Sequence, residues 1–412
     1  MMRYQLILLV FALACQKGPV GEATTPSPEV QVSAGPVDVV LWHSYRDREK
    51  AALEQVVARW NETNPSIRVR LLNVPYDAFV DKVTIATPRG QGPDLFIFAH
   101  NMIGEWVDRG HLLEPISQRF LPEVLSRFIS STVKALVYKH SLYGLPLAFK
   151  SLALFYNPDV IKEPPATAEE LVAAARAATD RSVGRYGIAY EAGLLYFNAP
   201  FIHGFGGTIL DGAGRPHVGE RPVADALAFV RGLVREGLMP SGLNSAMVTS
   251  LYNEGHAAMV ITGPWFLAEL SPDQKVRATV LPKMPGGGIA KPFLGSEAVF
   301  LSSWSRHKEE AIKVMDFLTS DESALIRLRV GRQTVANVAP YELDEVKADP
   351  IISVLRAQAE TAVLMPSRPE MQVVWSTMDM AINRAVFGDT DPMVAVSEAQ
   401  AKIEADIAKM AR

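Results

Sequence analysis

Val37-Asp38-Val39-Val40-Leu41-Trp42 reads as an apolar strand, and the helix and strands after it decide the fold. From Glu49 to Glu62, Leu53, Val56, Val57 and Trp60 recur at helical spacing and share one face. Ile67 to Leu72 then sets apolar Ile67, Val69 and Leu71 against Arg68 and Arg70, the two-residue period of a strand. Asp94 to Phe98 is a further short apolar strand, entered through the turn Gly90-Gln91-Gly92-Pro93. Strand, helix and strand in alternation predict an α/β architecture with helices packed on a largely parallel sheet.

A second unit of this kind opens near Thr167. There Pro164-Pro165 precede Thr167-Ala168-Glu169-Glu170, a capping-box pattern ahead of the apolar Leu171, Val172 and Ala175. Further helices are expected at 222–236, 308–318, 375–387 and 392–410, the last a surface helix because its polar face mixes both charge signs. Gly286-Gly287-Gly288 reads as a loop. The chain has 412 residues, 48% of them hydrophobic, which exceeds the usual single-domain range and predicts two lobes.

The chain starts with a different kind of segment. Arg3, the apolar run Leu6 to Ala14 and the only cysteine, Cys15, have the layout of an export leader, and the run is too short to span a bilayer. Ala12-Leu13-Ala14-Cys15 resembles a bacterial lipobox, in which residues 1–14 are a signal peptide and Cys15 carries lipid. The resemblance departs from the usual pattern at Ala12, where leucine is common; a free cysteine in an ordinary leader is the alternative. Residues 15–36, rich in Pro, Thr, Ser and Gly, form a flexible tether. The expected place is the bacterial cell envelope, exported and lipid-anchored, facing the periplasm or the exterior. With no cysteine pair, the body depends on its core rather than on disulfides.

The net charge of -4, with no long run of either sign, excludes nucleic acid as an expected partner. No phosphate loop, dinucleotide fingerprint, His-Glu-x-x-His or Gly-x-Ser-x-Gly is present, and the 8 histidines lack zinc spacing, so no cofactor, metal or catalytic residue is expected. Aromatic and polar residues just after strands are the distinctive feature, because open α/β sheets bind ligands there. These include Trp42-His43-Ser44-Tyr45-Arg46, Gly92-Pro93-Asp94 with Phe98-Ala99-His100-Asn101, Gly144 to Lys150, Ala257-Ala258-Met259 through Gly263-Pro264-Trp265, Lys291-Pro292-Phe293, and Met365-Pro366 ahead of Trp375.

In this order, from about Val37 to Ile407, these segments resemble the maltose-binding proteins, extracellular solute-binding proteins of sugar ABC transporters. The resemblance implies a two-lobed periplasmic-binding-protein fold of type II. Each lobe would be a mainly parallel sheet flanked by helices, and the lobes would be joined by crossing hinge strands near 149–151 and 294–299. It implies an N-terminal lobe from 37–149 with 298–346 and a C-terminal lobe from 150–297 with 347–412. It also implies a sugar in the cleft, and as partners the permease subunits of an importer with their ATPase.

A sugar ring offers a C–H face to an aromatic ring and a rim of hydroxyls that need partners once dry. By motif, Trp265, Trp375 and Tyr196 match stacking positions of that family, and Phe98 stands where it has tryptophan. Four platforms suit an oligosaccharide such as maltose or maltodextrin better than one hexose; core packing is the alternative for each ring. The polar positions differ. Asn101 and Met102 replace an Asp-Arg pair, Lys150 replaces a glutamate, and Leu194 replaces an acid, with Glu191 close by. Lys150 can only donate hydrogen bonds, so Ser44, Arg46, Tyr76, Asp77, Glu297 or Asp379 are expected to complete the site. A monomer that captures sugar and docks on an importer is the first reading. A sensor read by a receptor, a binder of a non-glucan solute, a surface glycan-processing enzyme and a two-lobed anion or metal binder are the alternatives.

Overall fold

The computed structural model describes residues 35–410. The leader, Cys15 and nearly all of the tether lie outside the described residues. Among these there are twelve strands: β1 Val37–His43, β2 Ile67–Asn73, β3 Leu95–Ala99, β4 Val137–Tyr138, β5 Ser141–Leu142, β6 Gly144–Lys150, β7 Ala153–Tyr156, β8 Tyr186–Ala189, β9 Ala257–Thr262, β10 Arg277–Thr279, β11 Phe293–Leu301 and β12 Val363–Leu364. The fold is bilobed. One sheet runs β12-β11-β3-β1-β2 with β6 also on β11; the other runs β10-β7-β9-β8.

The helices fall close to their expected places. Asp47–Thr63 (α1) buries Leu53, Val56, Val57 and Trp60 on the sheet, as the spacing predicts. Tyr76–Ala86 (α2) and Ile103–Asp108 (α3) follow β2 and β3. The expected helices 222–236, 308–318 and 392–410 appear at Arg221–Arg235, Lys308–Leu318 and Pro392–Met410. The helix expected from 375 begins earlier and covers Glu370–Val386, entered from Pro369, so Trp375 sits in its second turn. Thr167 caps its helix by accepting from the Glu170 N–H, while the Glu170 carboxylate reaches the Ala166 N–H, one residue beyond the usual capping-box partner.

The sheets are mixed, which corrects the largely parallel expectation. In the first, β1 is parallel to β2 and β3, but β11 is antiparallel to both β3 and β6. In the second, only β8 and β9 are parallel; β7 runs antiparallel to β9 and β10. The cause is the passage between lobes. Only Ser151 and Leu152 separate β6 from β7, and β11 returns alongside β6, so the strands that link the sheets enter them against the sense of the helix-connected strands.

Each lobe has its own core. One gathers Leu41, Phe96, Trp106, Val299 and Phe300; the other gathers Leu154, Ile188, Phe201, Met259 and Ile382. A smaller cluster, with Phe149, Leu294, Val335 and Tyr341, surrounds the linking strands. The β6/β11 ladder shifts register between Glu297 and Ala298, where Leu147 of β6 has no opposite number. Pro146 explains the slip, since it has no N–H to give the ladder. The Leu147 carbonyl is satisfied from the other side, by buried Arg327 Nη1 at 2.8 Å and by the Ala336 N–H at 3.0 Å.

His100 ties three segments together. Fully buried at the end of β3, it accepts from the Ser296 N–H of β11 through Nδ1 at 3.0 Å, while Nε2 lies 2.8 Å from the Met365 carbonyl. That pair of partners requires the neutral ring with the proton on Nε2. Burial accordingly pulls its pKa down to about 4 from an ordinary 6.5. Stability from this lowered pKa is present above pH 6.5 and is lost as pH falls towards 4. His100→Gln should therefore show a smaller loss of urea stability than the parent between pH 6.5 and 4.5. His100→Ala, which strands the buried Ser296 N–H, should cost about 1–3 kcal/mol at pH 7.5.

Candidate functional site

The floor of the cleft between the lobes is built from charges on the linking strands. Lys150, the last residue of β6, places Nζ 2.8 Å from Glu49 of α1 and 3.6 Å from Glu297 of β11. The Lys150 side chain is only 14% exposed, and Glu49 also accepts from Gln333 at 3.1 Å. Glu297 accepts from the hydroxyl of buried Tyr45. Burial raises the Glu297 pKa, opposed by Lys150. For Lys150, burial disfavours the charge but Glu297 and Glu49 more than offset it, leaving its pKa above the lysine norm. Lys150 and Glu297, both expected on the ligand, are thus engaged with each other and with α1.

The second lobe supplies the aromatic wall. Trp265 follows β9 through Gly263-Pro264, and its ring folds back over Gly263 so closely that a Cβ there would lie 2.1 Å from the indole. Glycine is therefore required for this placement. Tyr196, at the start of helix Leu195–Gly204, has its ring 6.5 Å from Trp265. Asp379 positions that helix by accepting from the Leu195 N–H at 2.7 Å, and burial raises the Asp379 pKa. Trp375 stands edge-on to Phe293 at 5.7 Å. All three rings are half-buried, each packed on the second core with part of its surface free.

In the first lobe the structure moves the expected platform. Phe98 is only 5% exposed: Phe79 lies near-parallel at 4.9 Å, Tyr76 near-parallel at 5.1 Å and Trp106 tilted at 5.7 Å. No face of Phe98 is open, because α2 sets Tyr76 and Phe79 three residues apart over it. Tyr76, 59% exposed, is the open ring of this cluster. Burial, with Tyr76 next, raises the Tyr196 phenol well above its ordinary pKa.

Arg46, also expected on the ligand, reaches across instead. It lies between β1 and α1 and pairs at 2.8 Å with Glu269, the last residue of helix Trp265–Glu269 in the other lobe. The next residue, Asp47, has φ 43°, a left-handed conformation that aspartate tolerates better than most and that turns the chain here. Glu191 lies in the same region. Burial lifts its pKa to about 7, the Ser245 N–H opposes this, Asp77 adds to it and Arg46 subtracts. Ser44 and Asn101 are partly exposed, and the Asn101 carbonyl accepts from Gln372 at 3.2 Å.

Two lobes meeting over linked strands, with aromatic rings between them, are the architecture of a binding protein. Residues 44–325 match the family described as bacterial extracellular solute-binding protein. The chain belongs to that family. Among its relatives, this solute-binding protein is 27% identical to a maltotriose-binding protein of Pyrococcus abyssi over 86% of its own length and 78% of the relative's. It is also 27% identical to a galactooligosaccharide-binding protein of Bacillus subtilis, covering 88% and 87%. A Thermus thermophilus maltotriose-binding protein, solved with maltotriose, superposes with a TM-score of 0.81 at 25% identity, over 90% of this chain and all of that one. Among the described residues no group of three or more His, Cys, Asp or Glu could hold a metal, and no helix is long and apolar enough to cross a membrane.

The structure thus brings Trp265 and Tyr196 together on the second lobe and leaves Tyr76 as an exposed ring on the first. It removes Phe98 into the core and turns Lys150, Glu297 and Arg46 to protein partners. Sequence reading missed Glu49, Gln333 and Glu269, whose only signal is a pairing between distant segments.

The charges of the cleft lead to two measurable outcomes. Lys150→Met leaves Glu49 and Glu297 unpaired and should destabilise by about 3–5 kcal/mol at pH 8 in denaturant titration. The loss should shrink as pH falls, because the raised Glu297 pKa lets the folded state take up a proton first. Lys150→Met with Glu297→Leu should recover only part of it, because Glu49 stays without its cation and Tyr45 loses its acceptor. For Arg46–Glu269, whose side chains are 57% and 13% exposed, the pair stabilises the approach of the two lobes by about 0.2–1 kcal/mol. Arg46→Ala should raise the radius of gyration of the ligand-free protein in X-ray scattering. Added salt should do the same to the parent and leave the variant unchanged.

Proposed function

We propose that this solute-binding protein holds an oligosaccharide of maltodextrin type between its lobes and delivers it to an ABC importer. The observation that carries this reading is the set of half-open rings on both sides of one cleft: Tyr76 on one lobe, Tyr196, Trp265 and Trp375 on the other. Several rings need several sugar units to cover them, and each provides an apolar face with a polar rim nearby. Glu191, Asp77, Asp379, Asn101 and Ser44 are the groups left to meet the hydroxyls, since Lys150, Glu297 and Arg46 are taken up elsewhere.

The hinge is placed at 149–151 and 294–299, and the lobes are divided as 37–149 with 298–346 and 150–297 with 347–412. In support, Leu152 begins the second core and Ala298 resumes the first. Closure about these strands adds contacts from the second lobe, and the ligand shifts the population by its greater affinity for the closed form. Docking of that form on permease subunits completes delivery. Lipid on Cys15 would hold the protein at the envelope while residues 15–36 let it reach the permease; a stable anchor needs more than one acyl chain. A second reading is a galacto-oligosaccharide, favoured by the Bacillus subtilis relative and by Asn101, Lys150 and Leu194 at positions where the maltose-binding proteins carry other, mostly acidic, side chains.

Tryptophan fluorescence of a protein starting at residue 37, titrated with maltose, maltotriose, maltotetraose and galacto-oligosaccharides, tests this. A saturable change with the glucans is expected, weakened at least about tenfold in Trp265→Ala and in Trp375→Ala. A response to galacto-oligosaccharides alone would replace the sugar and keep the transport role. Silence with every sugar would overturn the reading.

A further inference from the structure

We propose that Tyr76 sets the length of oligosaccharide this cleft accepts, by occupying the place over Phe98 where one more sugar ring would lie. The inference rests on the oligosaccharide reading above. Phe98 lies one residue before the carboxyl end of β3, the end at which open α/β sheets bind ligands. Here Tyr76 lies over it at 5.1 Å and 20° between planes, leaving Phe98 5% exposed and Tyr76 59% exposed.

A sugar ring stacked on an aromatic face needs the same carbon–carbon separation as a second aromatic ring, roughly 3.5–4.0 Å. One ring in that layer therefore excludes the other. The ligand meets Tyr76 one layer further out, and the span from the first lobe to Trp265 and Trp375 is shorter by one ring than if Phe98 were bare. Tyr76 is free to play this part because most of its surface is exposed. It is the first residue of α2, preceded by Pro75, and the buried anchors of that helix are Phe79 and Val83. Its removal opens Phe98 while Phe79 and Trp106 still hold that ring in place.

Isothermal titration of the protein from residue 37 with a glucan series from two to seven units, and with a galacto-oligosaccharide series, tests the inference. Parent, Tyr76→Phe, Tyr76→Ala and Tyr76→Trp are compared, with thermal melts to confirm folding. Tyr76→Phe and Tyr76→Trp keep a ring over Phe98 and should keep the parent's preferred length. Tyr76→Ala should move it up by one unit, with the affinity ratio of the longer to the shorter sugar rising about tenfold, as expected for one added stacked ring. An unchanged ratio in Tyr76→Ala, or equal loss at every length, would overturn the length role and leave oligosaccharide binding standing. If Tyr76→Ala does not fold, a longer preferred length in Tyr76→Trp overturns it and a constant one supports it. No binding of any series by the parent overturns both.

Discussion

Lys150 between Glu49 and Glu297 is the contact on which the two-lobed arrangement turns. It joins the first lobe's leading helix to both linking strands at the point where the chain leaves one sheet for the other. Such a group is expensive to bury, and the surroundings show how the cost is offset. Tyr45 and Gln333 donate to the two carboxylates, and Arg327, buried on the far side of β6, lies close enough for Glu297 to support its charge. Two cations and two anions balance. A balanced buried set adds little net stability over an apolar one, but it penalises any slip that separates its members. That suits a hinge, which has to bend without changing register.

The same helix start serves the cleft. Within a few residues Tyr45 and Glu49 hold the linking strands while Arg46 crosses to Glu269. The first pairs are buried and the last is half in water, so they differ in strength and in sensitivity to salt. The strong contacts keep the pivot fixed. On the proposed hinge, the weak one would bias closure without fixing it, leaving the ligand's preference for the closed form to move the population.

Local signals carry the elements well and the site unevenly. Helices at 308–318 and 392–410 are readable to the residue because their apolar spacing and flanking residues lie within a few positions of one another. Trp265 is readable because the Gly263-Pro264-Trp265 stretch resembles a motif of the maltose-binding proteins; that its ring folds back over Gly263 is seen only in the structure. The sense of the sheets is not readable, since strand direction is set by which segments return to the hinge, and no local pattern records that. Phe98 looks like a platform in its own motif, which says nothing of Tyr76, the ring that covers it from a helix before β3. Lys150, Glu297 and Arg46 look like free polar groups for a like reason: their partners lie in segments that only the folded chain brings together.

That division between local and long-range signals bears on how solute choice is written into this fold. The aromatic wall of the second lobe is held by its own core: Trp375 packs on Phe293, and Trp265 over Gly263. These positions resist change because each is also structural. On the first lobe the presented ring, Tyr76, belongs to an exposed helix start whose packing is carried by Phe79. On the proposed reading, substitution there would alter what the ligand touches while Phe79 and Val83 keep the helix packed. Cleft shape can therefore drift at residues such as Tyr76 while the rings opposite and the charged pivot beneath stay constant. Relatives with similar overall identity can in this way take up different oligosaccharides on one frame.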